Sequence, residues 1–184
     1  MHRAVVLVEG TSDKAAIEAL AKRHGRDLAA EGISVIAMGG AQAIGRYLEL
    51  YGPRGENKKV AGLCDAGEVR EFQRGLERAG LGTPVTRDDM EELGFYVCDP
   101  DLEAELIHAV GPDEVERIAA AQGDLQAFRT LQKQPAWAGR SSAEQLHRWM
   151  GSGGRRKQRY PSLIIDALEL SSVPRPLDRL LDHI

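Results

Sequence analysis

The sequence predicts an α/β protein: a mostly parallel four-stranded sheet flanked by helices, followed by a helical C-terminal extension. Three observations predict it. Four short apolar runs within residues 1–110 alternate with segments of helical periodicity, an order that builds a parallel sheet with helices on its faces. The first run, Ala4–Val8, is continuous and rich in valine, which suits a strand covered on both faces. From Gly111 onward the strand pattern stops and only helical patterns follow.

The elements follow in order. After Ala4–Val8, Gly10-Thr11-Ser12 opens a helix that Thr11 or Ser12 can cap. Ile17, Leu20 and Ala21 supply its buried stripe, and Gly25 stands where a C-terminal glycine belongs. Ile33–Met38 reads as a second strand and Gly39-Gly40 as a turn. Ala43, Ile44, Tyr47 and Leu48 mark the next amphipathic helix. Val60–Cys64 is a third strand, with a helix over about Glu68–Ala79. The polar segment Thr83–Leu93 reads as an irregular connection containing a short helical turn. Phe95–Cys98 is the fourth strand, with a helix near Leu102–Val110. Pro112-Asp113-Glu114 starts the next helix, and helical patterns run to Leu131 and over Ser142–Met150. Gly151–Gly154 reads as a flexible break, Pro161 as a helix start with the helix reaching Leu170, and Val173–Pro176 as a second break before a short last helix. The expected organisation is a core over residues 1–110 and a helical extension over residues 111–184.

Composition narrows the class. The chain has 184 residues, 42% of them hydrophobic and 28% charged, as expected of one globular domain with a small appendage. No run approaches the roughly 18 apolar residues of a membrane span, and Glu9 follows the first apolar run too soon for a secretory signal. These features point to the cytoplasm. Cys64 and Cys98 sit in apolar runs and read as reduced core thiols. The formal charge of −4 argues against a protein that coats nucleic acid non-specifically. Yet residues 151–160 hold Arg155, Arg156, Lys157 and Arg159 with no acid, one basic segment against an acidic body.

In open parallel sheets, ligands bind at the carboxyl ends of the strands. Here those ends are acidic. Glu9 and Asp13 follow the first strand, Asp65 and Glu68 the third, Asp101 and Glu103 the fourth. Two carboxylates about 4 Å apart repel by about 4 kcal/mol at an effective dielectric of 20, so protons or cations must balance them. Oxygen donors without histidine or cysteine pairs favour Mg²⁺, Mn²⁺ or Ca²⁺ over Zn²⁺. Acids after strands also cap helices, and Asp13 or Glu68 would complement a helix dipole without any metal. Convergence depends on strand order, which the sequence does not display. His2, His24, His108, His147 and His183 are scattered without metal-ligand spacing and read as surface or helix-face residues. No phosphate-binding loop, dinucleotide fingerprint or Gly-x-Ser-x-Gly turn occurs.

Val8-Glu9-Gly10-Thr11-Ser12-Asp13 after an apolar strand resembles the opening motif of Toprim domains, the Rossmannoid fold shared by topoisomerases, primases and several nucleases. Continued into Lys14-Ala15-Ala16-Ile17-Glu18, it is most similar to the OLD (overcoming lysogenization defect) nucleases. Asp65-Ala66-Gly67-Glu68 stands where that family carries Asp-x-Asp, and Asp101-Leu102-Glu103 resembles its Leu-Glu motif. The resemblance covers residues 4–110, with a weaker match beyond. It implies a metal-dependent DNA endonuclease or nickase. Glu9, Asp13, Asp65, Glu68 and Glu103 would be metal ligands for Mg²⁺ or Mn²⁺, with Ca²⁺ as a non-catalytic occupant. Glu9 would also act near proton transfer, and Lys157 would steady charge at the scissile phosphate. Arg155, Arg156 and Arg159 would anchor DNA phosphates. Gly67 replaces the expected second aspartate, and Glu68 is its candidate substitute. The family's ATPase domain has no counterpart here, so a separately encoded ATPase is a candidate partner, as is a second copy in a homodimer. The alternatives are a degenerate Toprim module that binds metal, nucleic acid or an ATPase without catalysis, and a phosphoacceptor domain using Asp65. Against the last, the first strand lacks the consecutive acids such domains show.

Overall fold

The first strand, β1 (Ala4–Val8), is buried at every position. It pairs with β2 (Ile33–Ala37) on one side and β3 (Lys59–Asp65) on the other; β4 (Phe95–Cys98) pairs with β3. The order is β2-β1-β3-β4 and every pairing is parallel. This computed structural model describes residues 3–184, so His2 lies outside the described residues. All four predicted strands are present. Alternation along β1 accounts for its continuous hydrophobicity: Ala4, Val6 and Val8 enter one apolar layer, Val5 and Leu7 the other.

The layer of Val5 and Leu7 is covered by α2 (Ile44–Tyr51), α3 (Val69–Ala79) and α4 (Arg87–Glu92). The opposite layer is covered by α1 (Thr11–Arg23), α5 (Leu102–Val110) and the helices that follow. Those are α6 (Pro112–Ala121), α7 (Leu125–Gln132), α8 (Ser142–Gly151), α9 (Gly154–Ala167) and α10 (Arg175–His183). All five contribute to the same continuous apolar cluster as this face of the sheet. Trp149 sits among their rings, 5.5 Å from Phe128 and 5.1 Å from Tyr160 between centroids. Cys64 and Cys98 are buried in opposite layers with their pKa values pushed up by burial, as inert core thiols.

Three local expectations change. The cap of α1 is Gly10, not Thr11 or Ser12, which lie inside the first turn; the Asp13 carboxylate reaches back to accept the Gly10 N–H at 2.7 Å. The flexible break at Gly151–Gly154 shrinks to two residues, since Gly151 closes α8 and Gly154 opens α9. Pro161 lies inside α9, not at its start, and the helix ends at Ala167, not Leu170. Proline removes the hydrogen bond to the carbonyl four residues back, that of Lys157. Packing of Tyr160, Ile164 and Ile165 in the core beside α1 overrides that loss. The basic segment is therefore the first turns of a packed helix, not a loop.

Gly62 is needed at the centre of the sheet, where it sits opposite Leu7 and Phe95. A Cβ there would stand 2.7 Å from the Leu7 carbonyl oxygen and 2.7 Å from the Phe95 ring. Gly62→Ala is expected to destabilise the fold by about 1–3 kcal/mol, read as a lower urea midpoint with an unchanged m-value.

Candidate metal centre at the carboxyl edge of the sheet

Parallel strands end on one edge, and the order β2-β1-β3-β4 sends the connections from β1 and β3 to opposite sides. The edge between β1 and β3 is therefore the topological switch point, where such sheets bind ligands. There Glu9, Asp13, Asp65, Glu103 and Lys157 line one cleft of about 440 Å³, floored in part by Gly10, Gly39 and Gly40. The strand order thus brings together acids that lie up to 94 residues apart in sequence.

Each side chain is placed by the element that carries it. Glu9 follows β1 directly, and its Oε1 accepts the Asp65 N–H at 2.9 Å, tying the ends of β1 and β3. Its own carbonyl accepts the N–H groups of Gly39 and Gly40, both at 3.0 Å, where glycines with φ of 81° and 127° turn the chain after β2. Asp65 Oδ1 accepts the Leu102 N–H at 3.3 Å, joining β3 to the start of α5. Glu103 stands in the first turn of α5, and its Oε1 is buried without a hydrogen-bond partner. Lys157 enters from the first turn of α9.

The electrostatics are those of crowded acids. Burial, and then neighbouring carboxylates, raise Asp13 and Asp65 to about 7. Burial also raises Glu9, opposed by the Asp65 N–H and by Lys157. Among the described residues, no three histidine, cysteine, aspartate or glutamate side chains close on one point as they stand. Three of the carboxylates have instead turned an oxygen onto a backbone N–H. Even so, the donor set fits a hard divalent cation. It is all carboxylate, it contains an unpartnered buried oxygen on Glu103, and two of its acids hold protons near neutral pH where a cation could replace them.

Other predicted residues fall elsewhere. Glu68 ends the short turn after β3, half-buried; it raises the Glu9 pKa but is not among the residues that line the cleft. Arg155 is exposed. Arg156 packs its guanidinium over Trp149 at 4.9 Å and donates to the Trp149 carbonyl at 3.1 Å. Arg159 pairs with Asp124. Two of the three arginines thus brace the C-terminal helices.

Asp101 does not line the cleft. It caps α5, accepting the Ala104 N–H at 2.8 Å, while its other oxygen meets His147 Nε2 of α8 at 2.7 Å. His147 is thus more than a surface residue, and a pair separated by 46 positions leaves no local signal in sequence. Burial alone would raise the Asp101 pKa, but the His147 and Ala104 bonds outweigh it and hold it low. The same bond raises His147. Imidazole resonances followed by NMR should show His147 releasing its proton at a higher pH than a free histidine, with Asp101→Asn bringing it back down.

The order of the sheet and the acids at its switch point agree with the Toprim resemblance of the opening motif. Residues 1–66 match the family model for the Overcoming lysogenization defect protein-like TOPRIM domain, the family that the opening motif resembles. The whole chain superposes on the C-terminal region of the Xanthomonas campestris pv. campestris OLD protein, with a TM-score of 0.75 and 24% identity, covering 100% of this chain and 92% of that one. It also superposes on the C-terminal region of the Burkholderia pseudomallei OLD protein, with a TM-score of 0.71 and 21% identity, covering 100% and 96%. These likenesses extend the shared fold through the helices after residue 110. No curated protein matches the sequence. Among the described residues no helix is long and apolar enough to cross a membrane.

Proposed function

We propose that this protein is a cytoplasmic, divalent-metal-dependent DNA endonuclease or nickase that hydrolyses phosphodiester bonds at the β1–β3 cleft. The observation that carries the reading is the convergence of Glu9, Asp13, Asp65 and Glu103 with Lys157, including a buried Glu103 oxygen with no partner. These four carboxylates would hold Mg²⁺ or Mn²⁺, with Ca²⁺ as a non-catalytic occupant; Glu68 would join only by swinging in from beside Glu9. A divalent cation so held supplies charge neutralisation at the phosphate and a lowered pKa for attacking water. Glu9, with one oxygen held by the Asp65 N–H and a raised pKa, is suited to hold or take a proton next to the reacting phosphate. Lys157 brings a positive charge to the same cleft, where phosphoryl transfer builds negative charge. Arg155, exposed in the same turn, would anchor a neighbouring phosphate. With a net charge of −4, the protein would hold DNA by such local contacts and not by a broad basic face.

The test is supercoiled plasmid incubated with the purified protein in Mg²⁺, Mn²⁺, Ca²⁺ or chelator. Open circles in Mg²⁺ or Mn²⁺, and none in Ca²⁺ or chelator, are expected. A second reading, a non-catalytic module that binds metal or nucleic acid or docks on a separately encoded ATPase, is favoured by Gly67 and by the place of Glu68 outside the cleft lining. It predicts Mn²⁺ binding in a calorimeter with intact plasmid in every condition. Light scattering of the same sample reports whether the protein forms a homodimer.

A further inference from the structure

A cavity of about 490 Å³ opens next to the carboxylate cleft, and the first turn of α5 separates the two: Glu103 lines the cleft and Ala104 lines the cavity. Ile107, Pro112 and Trp137 give it apolar walls, and His108, His147 with Nε2 on Asp101, and Arg140 paired with Glu144 of the same lining give it polar groups. The Arg148 guanidinium lies 6.0 Å from the Trp137 ring centroid, which adds positive charge behind the aromatic wall. None of these groups takes part in the proposed hydrolysis.

We propose that the cavity takes one unpaired base of the DNA strand whose phosphate sits in the cleft. This rests on the nuclease reading and adds a preference to it. The volume is that of a small-ligand pocket, and the lining is apolar with a few polar groups, the composition such pockets show. A base needs a π-face to stack on and donors for its ring nitrogens and carbonyls; Trp137 offers the first and the histidines and Arg140 the second. The openings are divided by adjacent residues of one helix turn, so a strand crossing the cleft can bring a neighbouring base to the cavity. A base still paired and stacked in a duplex cannot enter. The protein therefore favours DNA that is single-stranded, gapped or distorted beside the cut.

The experiment uses the full chain in Ca²⁺, which keeps cleavage off. Fluorescence anisotropy compares a labelled single strand with a strand of the same length made of abasic sites. The wild type is expected to bind the base-bearing strand about tenfold more tightly, a stacking-sized preference. Ala143→Trp, which fills the cavity, and Trp137→Ala, which removes the stacking wall, should each bring that ratio close to one. Either variant suffices if the other fails to fold. Equal affinity of the wild type for the two strands overturns the base pocket and leaves the nuclease reading standing; this is also the result if the cavity serves a second copy or a protein partner. A preference that persists in both variants overturns it as well. No binding of either strand by the wild type overturns the base pocket as well, and the plasmid assay alone then decides the nuclease reading.

Discussion

Glu9→Gln is expected to cut plasmid nicking by at least about a hundredfold while raising the melting temperature in chelator. Function and stability move in opposite directions because Glu9 belongs to an acidic cluster that is unfavourable on its own. Its charge is the largest coulombic contribution to the raised pKa of Asp65 and one of those acting on Asp13. The amide keeps the shape, and its oxygen can still accept the Asp65 N–H, so the ends of β1 and β3 stay joined. What is lost is one cation donor and a carboxylate placed to hold a proton at the junction of the two central strands. Lys157→Ala should slow nicking by a similar factor, on the order of the hundredfold to thousandfold seen when a transition-state charge partner is removed. The two variants separate in a calorimeter. Mn²⁺ affinity should fall in Glu9→Gln and hold or rise in Lys157→Ala, which removes a competing cation. Full activity in Glu9→Gln, or Mn²⁺ binding unchanged in it, would move the chemistry away from this cleft.

Much of this site was legible before the fold, for physical reasons that differ by residue. The strands are covered on both faces, so they appear as unbroken apolar runs, and the acids after the first, third and fourth runs are conspicuous. Glu9 and Asp13 sit in one contiguous motif, which is why resemblance alone names them. The convergence of Asp65 and Glu103 on them depends on β3 lying between β1 and β4, and strand order has no local signature. Asp13 also shows that two readings of one residue can both hold. One oxygen accepts the Gly10 N–H at the start of α1, as a helix-terminal acid does, and the residue still lines the cleft. The misreadings around residues 151–161 come from applying a local rule where packing decides. Proline and clustered glycines break an isolated helix, but α9 is held by buried contacts beside α1, and that helix carries Lys157 into the cleft. The Asp101–His147 tie was out of reach because it joins α5 to α8, elements with no shared periodicity.

The second large effect is a fall in stability with rising pH that a divalent cation reverses. In the folded protein Asp13 and Asp65 hold their protons up to about 7, against an ordinary value of 3.8. Across that interval the folded state binds more protons than the unfolded chain. In chelator, stability therefore falls as pH rises from about 4 to about 7, then levels off. For Asp13, only 7% exposed, three units at 1.36 kcal/mol each set a scale of about 4 kcal/mol. For a chain of this size a loss of 3–4 kcal/mol lowers the melting temperature by about 6–16 °C. Asp101 works in the other direction. Its lowered pKa contributes stability that disappears only below about pH 4, so the maximum in chelator should lie near pH 4–5. A cation that binds the ionised cluster competes with these protons, and its stabilisation grows with its occupancy. Mg²⁺ or Mn²⁺ should then raise the melting temperature strongly at pH 8 and hardly at all at pH 5. Asp13→Asn should flatten both the fall and the rescue, because the amide has no proton to lose and little affinity for the cation. Thermal melts on a grid of pH and cation measure all of this at once. A flat profile in chelator would show that the cluster is solvated well enough to ionise freely. An equal gain from cation at pH 5 and pH 8 would place the bound ion away from Asp13 and Asp65.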